Sequence, residues 1–304
     1  MAAQLARFKD LWDLREEGVD ALRERLIVPR ELLLANLPWK RSKERFVVRR
    51  APISASTTLE IVYTSTTPGV DIPFGADRAL LAYLSTLGAR DGHVSFDSLT
   101  GFFRAFEVEP SGQQYRIFME RIARITGLSI AVRVLGANQE ARVNVRILSR
   151  VFTPNDMKFA RRVLEVEGRP LPVAIPQAYS RWGFELSPEY LEMLRDHPVP
   201  MPLALMRIFR AAPMAWDFTA WVLYRCHCAR SIGRPIPLSR LREQLGTTEA
   251  VDRKLKSDLA GVLRQIKVVL PGFPAEFNRK HELQIAPFRI ASIDGPELVV
   301  ARSG

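Results

Sequence analysis

The sequence predicts a helix-rich α+β chain built from two units of the same kind, one in each half. Three observations carry that expectation. Residues 112–148 pass from helical apolar spacing into two stretches of strict alternation. A comparable succession returns roughly 140 residues later, an internal duplication in pattern more than in residue identity. Basic residues dot both copies.

At 304 residues and 47% hydrophobic, the chain can bury a sizeable core and is long enough for about two domains. Its 44 Lys+Arg against 33 Asp+Glu leave a net charge of +11, which suits a polyanionic partner, nucleic acid or an acidic membrane surface. The opening MAAQLARFKDLWDLREEG carries charges every few positions and so lacks the apolar core of a signal peptide. No apolar run approaches the roughly 18 residues of a membrane span. Cys226 and Cys228 sit two apart in a helical stretch, where they point to different faces. That predicts free thiols and a cytoplasmic protein without a disulfide framework.

Residues 1–50 read as an N-terminal helical extension and a basic arm. Over 3–27, Leu5, Phe8, Leu11, Trp12, Val19, Leu22 and Leu26 form a rough apolar stripe among charges. PWKRSKERFVVRR (38–50) then gathers cations; it suits a solvated linker or an arm lying along phosphates.

Residues 51–153 hold the first unit. DRALLAYLSTLGAR (77–90) is a helix ending at Gly88, and HVSFDSLTGFFRAF (93–106) gives a short strand, a cap at Ser95 and a second helix. In the third helix Tyr115, Phe118, Ile122 and Ile125 share one side, while Gln113, Arg116, Glu120 and Arg124 share the other. Gly127 suits its C-terminus. Leu128, Ile130, Val132 and Val134 then alternate with Ser129, Ala131 and Arg133; past a turn at 136–141, Val143, Val145 and Ile147 alternate with Arg142, Asn144 and Arg146. Such a hairpin buries aliphatics on one face and displays arginines on the other.

Residues 154–188, with GRPLPVAIPQ at 168–177, read as a proline-rich connection. Residues 189–292 hold the second unit, and 293–304 a tail. DFTAWVLYRCHCARSIGR (217–234) is an apolar helix; IPLSRLREQLG (236–246) gives a short strand and second helix; TEAVDRKLKSDLAGVLRQI (248–266) is the third. Its core side takes Val251, Leu255, Leu259, Val262 and Ile266, and a hairpin turns around FNRKHE (277–282). Helix, short strand, helix, helix and hairpin, in that order, describe a winged helix, whose third helix enters the DNA major groove while the hairpin touches the backbone. Two tandem winged-helix domains are therefore the expected fold.

Arginine's planar fork suits guanine O6 and N7, and glutamine suits adenine N6 and N7. Candidate base-reading residues are Gln113, Gln114, Arg116 and Arg124 on the first third-helix, and Arg253, Lys254 and Lys256 on the second; Arg121 and Arg264 on the same helices are further candidate DNA-binding residues. On the hairpins, Arg133, Arg142, Arg146, Arg279 and Lys280 suit phosphates, which fix register without reading sequence, and Asn144 is a further candidate DNA-binding residue. Any one of these arginines, taken alone, equally suits a solvated or salt-bridged surface.

Catalysis is not expected. There is no GxxxxGK[ST] stretch to cradle a nucleotide, and His93, His197, His227 and His281 are scattered. Cys226, His227 and Cys228 fan about 100° apart on a helix and do not converge on one tetrahedral metal ion. No metal or other cofactor is anticipated. Trp216, Phe218, Trp221 and Tyr224 recur among other apolar residues, so they read as a core helix with Trp221 buried and not as a base-stacking platform.

The segments DIPFGADRALLAYL (71–84), HPVPMPLALMRIFRAAPMAWDFTAWVLYR (197–225) and PIPLSRLREQLG (235–246) resemble plasmid-encoded RepA-type replication initiators. The likeness covers roughly residues 70–290 and rests on Pro73 and Gly75, Pro198 and Pro200, Pro213, Asp217, Ala220–Trp221 and Tyr224–Arg225. Phe218 departs from the family's isoleucine, and the N-terminal 50 residues fall outside the match. The resemblance implies a protein of theta-type plasmid replication that binds repeated sites in an origin, helps to open it and recruits the host initiator and helicase. It also implies repression of its own promoter, often as a homodimer. Two other readings stay open: a winged-helix transcriptional repressor that never melts DNA, and a winged-helix scaffold for proteins. The exposed arginines weigh against the scaffold.

Overall fold

The computed structural model describes residues 2–54, 56–96, 98–105, 108–136, 140–152, 182–247 and 251–290. Helix α1 (Ala2–Glu17) is shorter than the apolar stripe suggests. Gly18, at φ 82°, takes a left-handed conformation that ends it. A single 3-10 turn (Val19–Leu22) follows, and Leu26, expected in the helix, instead lies in strand β1 (Arg25–Pro29). The short helix α2 (Arg30–Leu34) continues from it.

Strands β2 (Phe46–Pro52) and β3 (Thr58–Ser65) come next. The last five residues of the presumed basic arm, 46–50, are therefore strand. Val47, Arg49 and Ala51 point one way and Val48 and Arg50 the other, an alternation that the surrounding cations hide. Helix α3 (Asp77–Gly88), strand β4 (His93–Phe96), helix α4 (Leu99–Ala105) and helix α5 (Gly112–Thr126) follow in the anticipated order. Ser95 is a strand residue paired with Gly183, and not a cap; Ser98 Oγ accepts from the Gly101 amide at 3.1 Å in that role. Gly88 is a place of close approach, since a Cβ there would lie 2.6 Å from a Leu186 methyl.

Strands β5 (Leu128–Leu135) and β6 (Glu140–Arg146) form the anticipated hairpin, with residues 137–139 of its turn outside the described residues. It does not stand alone. β5 also pairs with β3, giving an antiparallel four-stranded sheet in the order β2-β3-β5-β6. One face buries Leu59, Ile61, Tyr63, Ile130 and Val145. Val143 lies farther out along the hairpin and is 52% exposed, contrary to its expected burial. Past Ile147 the chain continues as β7 (Leu148–Phe152), which joins β8 (Trp182–Leu186) and β4 in a second, three-stranded sheet.

The presumed connection at 154–188 is thus shorter, because its last residues form β8 and the start of helix α6 (Pro188–Asp196). Ser187 Oγ accepts from the Tyr190 amide at 3.1 Å, and Pro188 takes the first helical position. Residues 153–181, GRPLPVAIPQ among them, lie outside the described residues.

Strand β9 (Pro198–Pro202) pairs antiparallel with β1. The N-terminal stretch is therefore laced into the second half and is not a detached extension. Helix α7 (Leu203–Ile208) precedes α8 (Pro213–Cys228), which starts at Pro213, four residues before the expected Asp217. Trp221 is 1% exposed and Phe218 fully buried, as their spacing predicts, and their rings stack at 6.2 Å. Cys226 is buried and Cys228 exposed. An isolated bridge at Ile236 to Leu283, helix α9 (Leu238–Leu245), helix α10 (Asp252–Val269) and the hairpin β10 (Ala275–Phe277)–β11 (Leu283–Ile285) complete the second half. Gly246 closes α9 in the left-handed conformation at φ 60°. The tail at 293–304 lies outside the described residues. No helix among the described residues is long and apolar enough to cross a membrane.

Candidate nucleic-acid interface

Helix α10 is sided by its sequence. Leu255, Leu259, Val262, Leu263 and Ile266 recur at helical spacing and are buried, and the helix packs against α1, α8 and α9. At 100° per residue, the diametrically opposite stripe carries Arg253, Ser257 and Arg264, all exposed. Lys256 and Lys267 are half-buried along one margin, and Ala260 and Gly261 lie between the cations. The small side chains let another surface approach the helix closely. Lys254 is exposed on the opposite flank, nearer Asp258. Val251, expected in the core, sits at the N-cap position and is 55% exposed.

The β10–β11 turn presents its charges on a built loop. Asn278 Oδ1 accepts from the amides of Lys280 (2.9 Å) and Glu282 (3.0 Å), and Asn278 Nδ2 donates to Glu282 Oε2 at 3.0 Å. His281 takes a left-handed φ of 64° to close it. Arg279 and Lys280 are left exposed at the tip.

Helix α5 differs. Ser111 Oγ caps it through the Gln114 amide at 3.2 Å, and Phe118, Ile122 and Ile125 are buried as expected. Its outer face displays Gln113, Arg116, Glu120 and Ala123, with Arg116 Nε 3.9 Å from Glu120 Oε1. Gln114 turns instead to an apolar cleft walled by Phe102, Phe103 and Ile117. Arg124, expected to read bases, and Arg121, expected to bind DNA, are turned toward α3. Arg124 Nε and Nη2 donate to the two carboxylate oxygens of Asp77 at 2.6 and 3.0 Å, and Arg121 Nε lies 3.4 Å away. Arg124 also covers the Phe74 ring at 4.8 Å.

Both guanidiniums are partly desolvated, with different outcomes. Burial lowers the Arg121 pKa against the pull of Asp77. Burial acts on Arg124 as well, but there the hydrogen bond to Asp77 and its charge outweigh it and the pKa rises. These two arginines hold α5 to α3, so of the arginines on α5 Arg116 alone stays on the outer face, beside Glu120.

On the first hairpin, too, an arginine expected at phosphates is used internally. Arg133 Nη1 donates to Glu60 Oε1 at 3.1 Å, and Arg50 Nε donates to Glu60 Oε2 at 2.7 Å. Glu60 is buried, so Arg133 serves as its counter-ion within the sheet. Arg142, Asn144 and Arg146 all lie exposed along β6, an edge strand of the sheet. They sit opposite Arg133, Ala131 and Ser129 in register.

Nothing local in the sequence marks Asp77 or Glu60 as partners, because isolated carboxylates among many cations carry no pattern. Among the described residues, no group of three or more His, Cys, Asp or Glu could hold a metal ion.

No family model and no curated protein matches the chain. Solved structures do. Domains 2–3 of RctB (residues 155–483 of that protein) superpose with a TM-score of 0.50 at 14% identity, over 83% of this chain and 94% of that one. Selenomethionine derivatives of RctB domains 2 and 3 superpose with a TM-score of 0.47 at 15% identity, over 77% and 82%. The chain thus has a mixed α/β fold of the kind seen in RctB domains 2–3.

Proposed function

We propose that this protein is a sequence-specific, double-stranded-DNA-binding replication initiator of the plasmid RepA type, acting without catalysis. Each half is read as a winged helix, with α10 and the β10–β11 turn as the principal reader and α5 with the β5–β6 hairpin as the weaker one. The cationic stripe of α10, Arg253 and Arg264 around a small-residue centre and opposite its buried side, carries this reading. Side chains so placed can reach base edges in a major groove, while Arg279, Lys280, Arg142 and Arg146 hold phosphates. The two halves would then contact successive major grooves, about 10–10.5 base pairs apart.

Support for the initiator role comes from two sides. RctB, whose domains 2–3 share the fold, is a replication initiator of Vibrio chromosome II. Residues 70–290 resemble plasmid initiators through Asp217, Trp221 and the prolines around them. From that resemblance come the further steps of the proposal: binding of repeated origin sites, assistance in strand opening, recruitment of host initiator and helicase, and a homodimeric form.

The hairpin tip gives a direct test. A protein that neutralises Z phosphates loses affinity with salt at a slope of about −0.9Z. Replacing Arg279 and Lys280 together by alanine is therefore expected to shallow the slope of log Kd against log salt by about 2, on specific and random duplexes alike. An unchanged slope removes the hairpin from the interface.

A further inference from the structure

Two adjacent charges at the start of α3 are buried and reach in opposite directions. Asp77 turns toward α5 and takes Arg124 and Arg121. It also accepts from the Phe74 amide at 3.0 Å, which ties it to the turn before its own helix. Arg78 turns toward the second half of the chain. Its Nη1 pairs with Asp217 of α8, its Nη2 donates to the carbonyls of Leu37 (2.9 Å) and Pro38 (2.7 Å), and its Nε donates to the Gly75 carbonyl at 2.7 Å. Asp217 Oδ2 also accepts from Trp39 Nε1 at 2.7 Å. Burial pulls the Arg78 pKa down to about 9, opposed by neighbouring charge such as Asp77; at neutral pH the guanidinium remains the cation that Asp217 requires.

Stability alone gives little reason for such an arrangement. A buried ion pair is weak support for a fold, and apolar residues of similar volume often serve as well. A guanidinium that spends its fork on four acceptors from three segments does something apolar packing does not. It admits one relative orientation of the parts it joins. Those parts are the supports of the two candidate reading helices. α5 is clamped to α3 through Asp77, and α10 packs directly on α8, the helix that carries Asp217.

We propose that the Asp77–Arg78–Asp217 junction positions α5 relative to α10 and thereby sets the spacing of the two DNA half-sites that the chain accepts. This rests on the DNA-binding reading above. Arg78 and Asp217 touch no DNA in this account; they act through α3 and α8.

The experiment uses the full chain and a duplex carrying its footprinted sequence, with or without about 5 base pairs inserted between the half-sites, which turns the second by half a helical repeat. The wild-type protein should lose about 10-fold or more in affinity on insertion, since the contacts of one half, at about 1–3 kcal/mol per good base contact, are lost. Arg78→Met/Asp217→Leu exchanges the charge pair for apolar volume. It should bind the native spacing more weakly yet pay a penalty of less than about 3-fold on insertion, because its halves reorient to recover contacts that are worth about that factor or more. Trp39→Phe, which removes one hydrogen bond to Asp217 and keeps the ion pair, should fall between the two and carries the test if the double variant does not fold. A folded variant with the full wild-type penalty overturns the junction's role, as does a wild-type protein indifferent to the insertion. Absence of any specific site for the wild-type protein instead sinks the DNA-binding reading itself.

Discussion

Replacing Asp77 by asparagine is expected to destabilise the protein by about 3 kcal/mol, the lower end of the cost of breaking a buried charge pair. The carboxylate is buried and shared by Arg124, which is 14% exposed at its side chain, and Arg121, at 34%. In the variant both guanidiniums keep their charge in a desolvated place, lose their counter-ion, and share one amide oxygen in place of two carboxylate oxygens, the other position now being a donor. The partial exposure of Arg121 lets water recover part of the loss, which sets the estimate at the low end. Urea denaturation of the two proteins measures it. Arg121→Ala alone should cost less, because Asp77 retains the two hydrogen bonds from Arg124. A change within about 0.5 kcal/mol for Asp77→Asn, the range of an ordinary surface substitution, would mean that the cluster does not hold α5 in place.

The second large effect falls on binding. Arg253→Ala with Arg264→Ala strips the exposed stripe of α10 of both arginines while leaving Leu255, Leu259 and Ile266 inside. Each good base contact discriminates by about 1–3 kcal/mol. The double variant should therefore lose about 10²-fold or more on a specific duplex, against a much smaller loss on random DNA. Fluorescence anisotropy on both duplexes at one salt concentration separates the two. Equal losses would reassign these arginines to phosphates.

How much of this was legible beforehand follows from the range of the forces involved. The order of α3, β4, α4 and α5, and of α8, α9 and α10, could be read because a helix's buried stripe repeats locally. The burial of Trp221 followed from the same repetition. Sheet partners were not legible. β5 joins β3 across more than sixty residues, and β1 joins β9 across the length of the first half. No local pattern encodes such a pairing, so residues 46–50 read as part of an arm and Leu26 as part of a helix.

The candidate interface shows the same division. The stripe of Arg253 and Arg264 was plain from helical spacing alone. Which arginines would be spent internally was not. Arg124 and Arg133 look as available as Arg253 until Asp77 and Glu60 are brought to them by the fold.

Central to the account is that this protein reads repeated DNA sites through α10. The most direct measurement is a nuclease footprint on DNA surrounding its own gene, at about 50 and 200 mM salt with random DNA as competitor. The account predicts periodic protection over tandem repeats that survives the higher salt and disappears in the Arg253→Ala/Arg264→Ala variant. Protection of one inverted repeat at a promoter alone would favour a repressor. Binding that vanishes at the higher salt without leaving any footprint would contradict the account, reducing the net charge of +11 to nonspecific attraction.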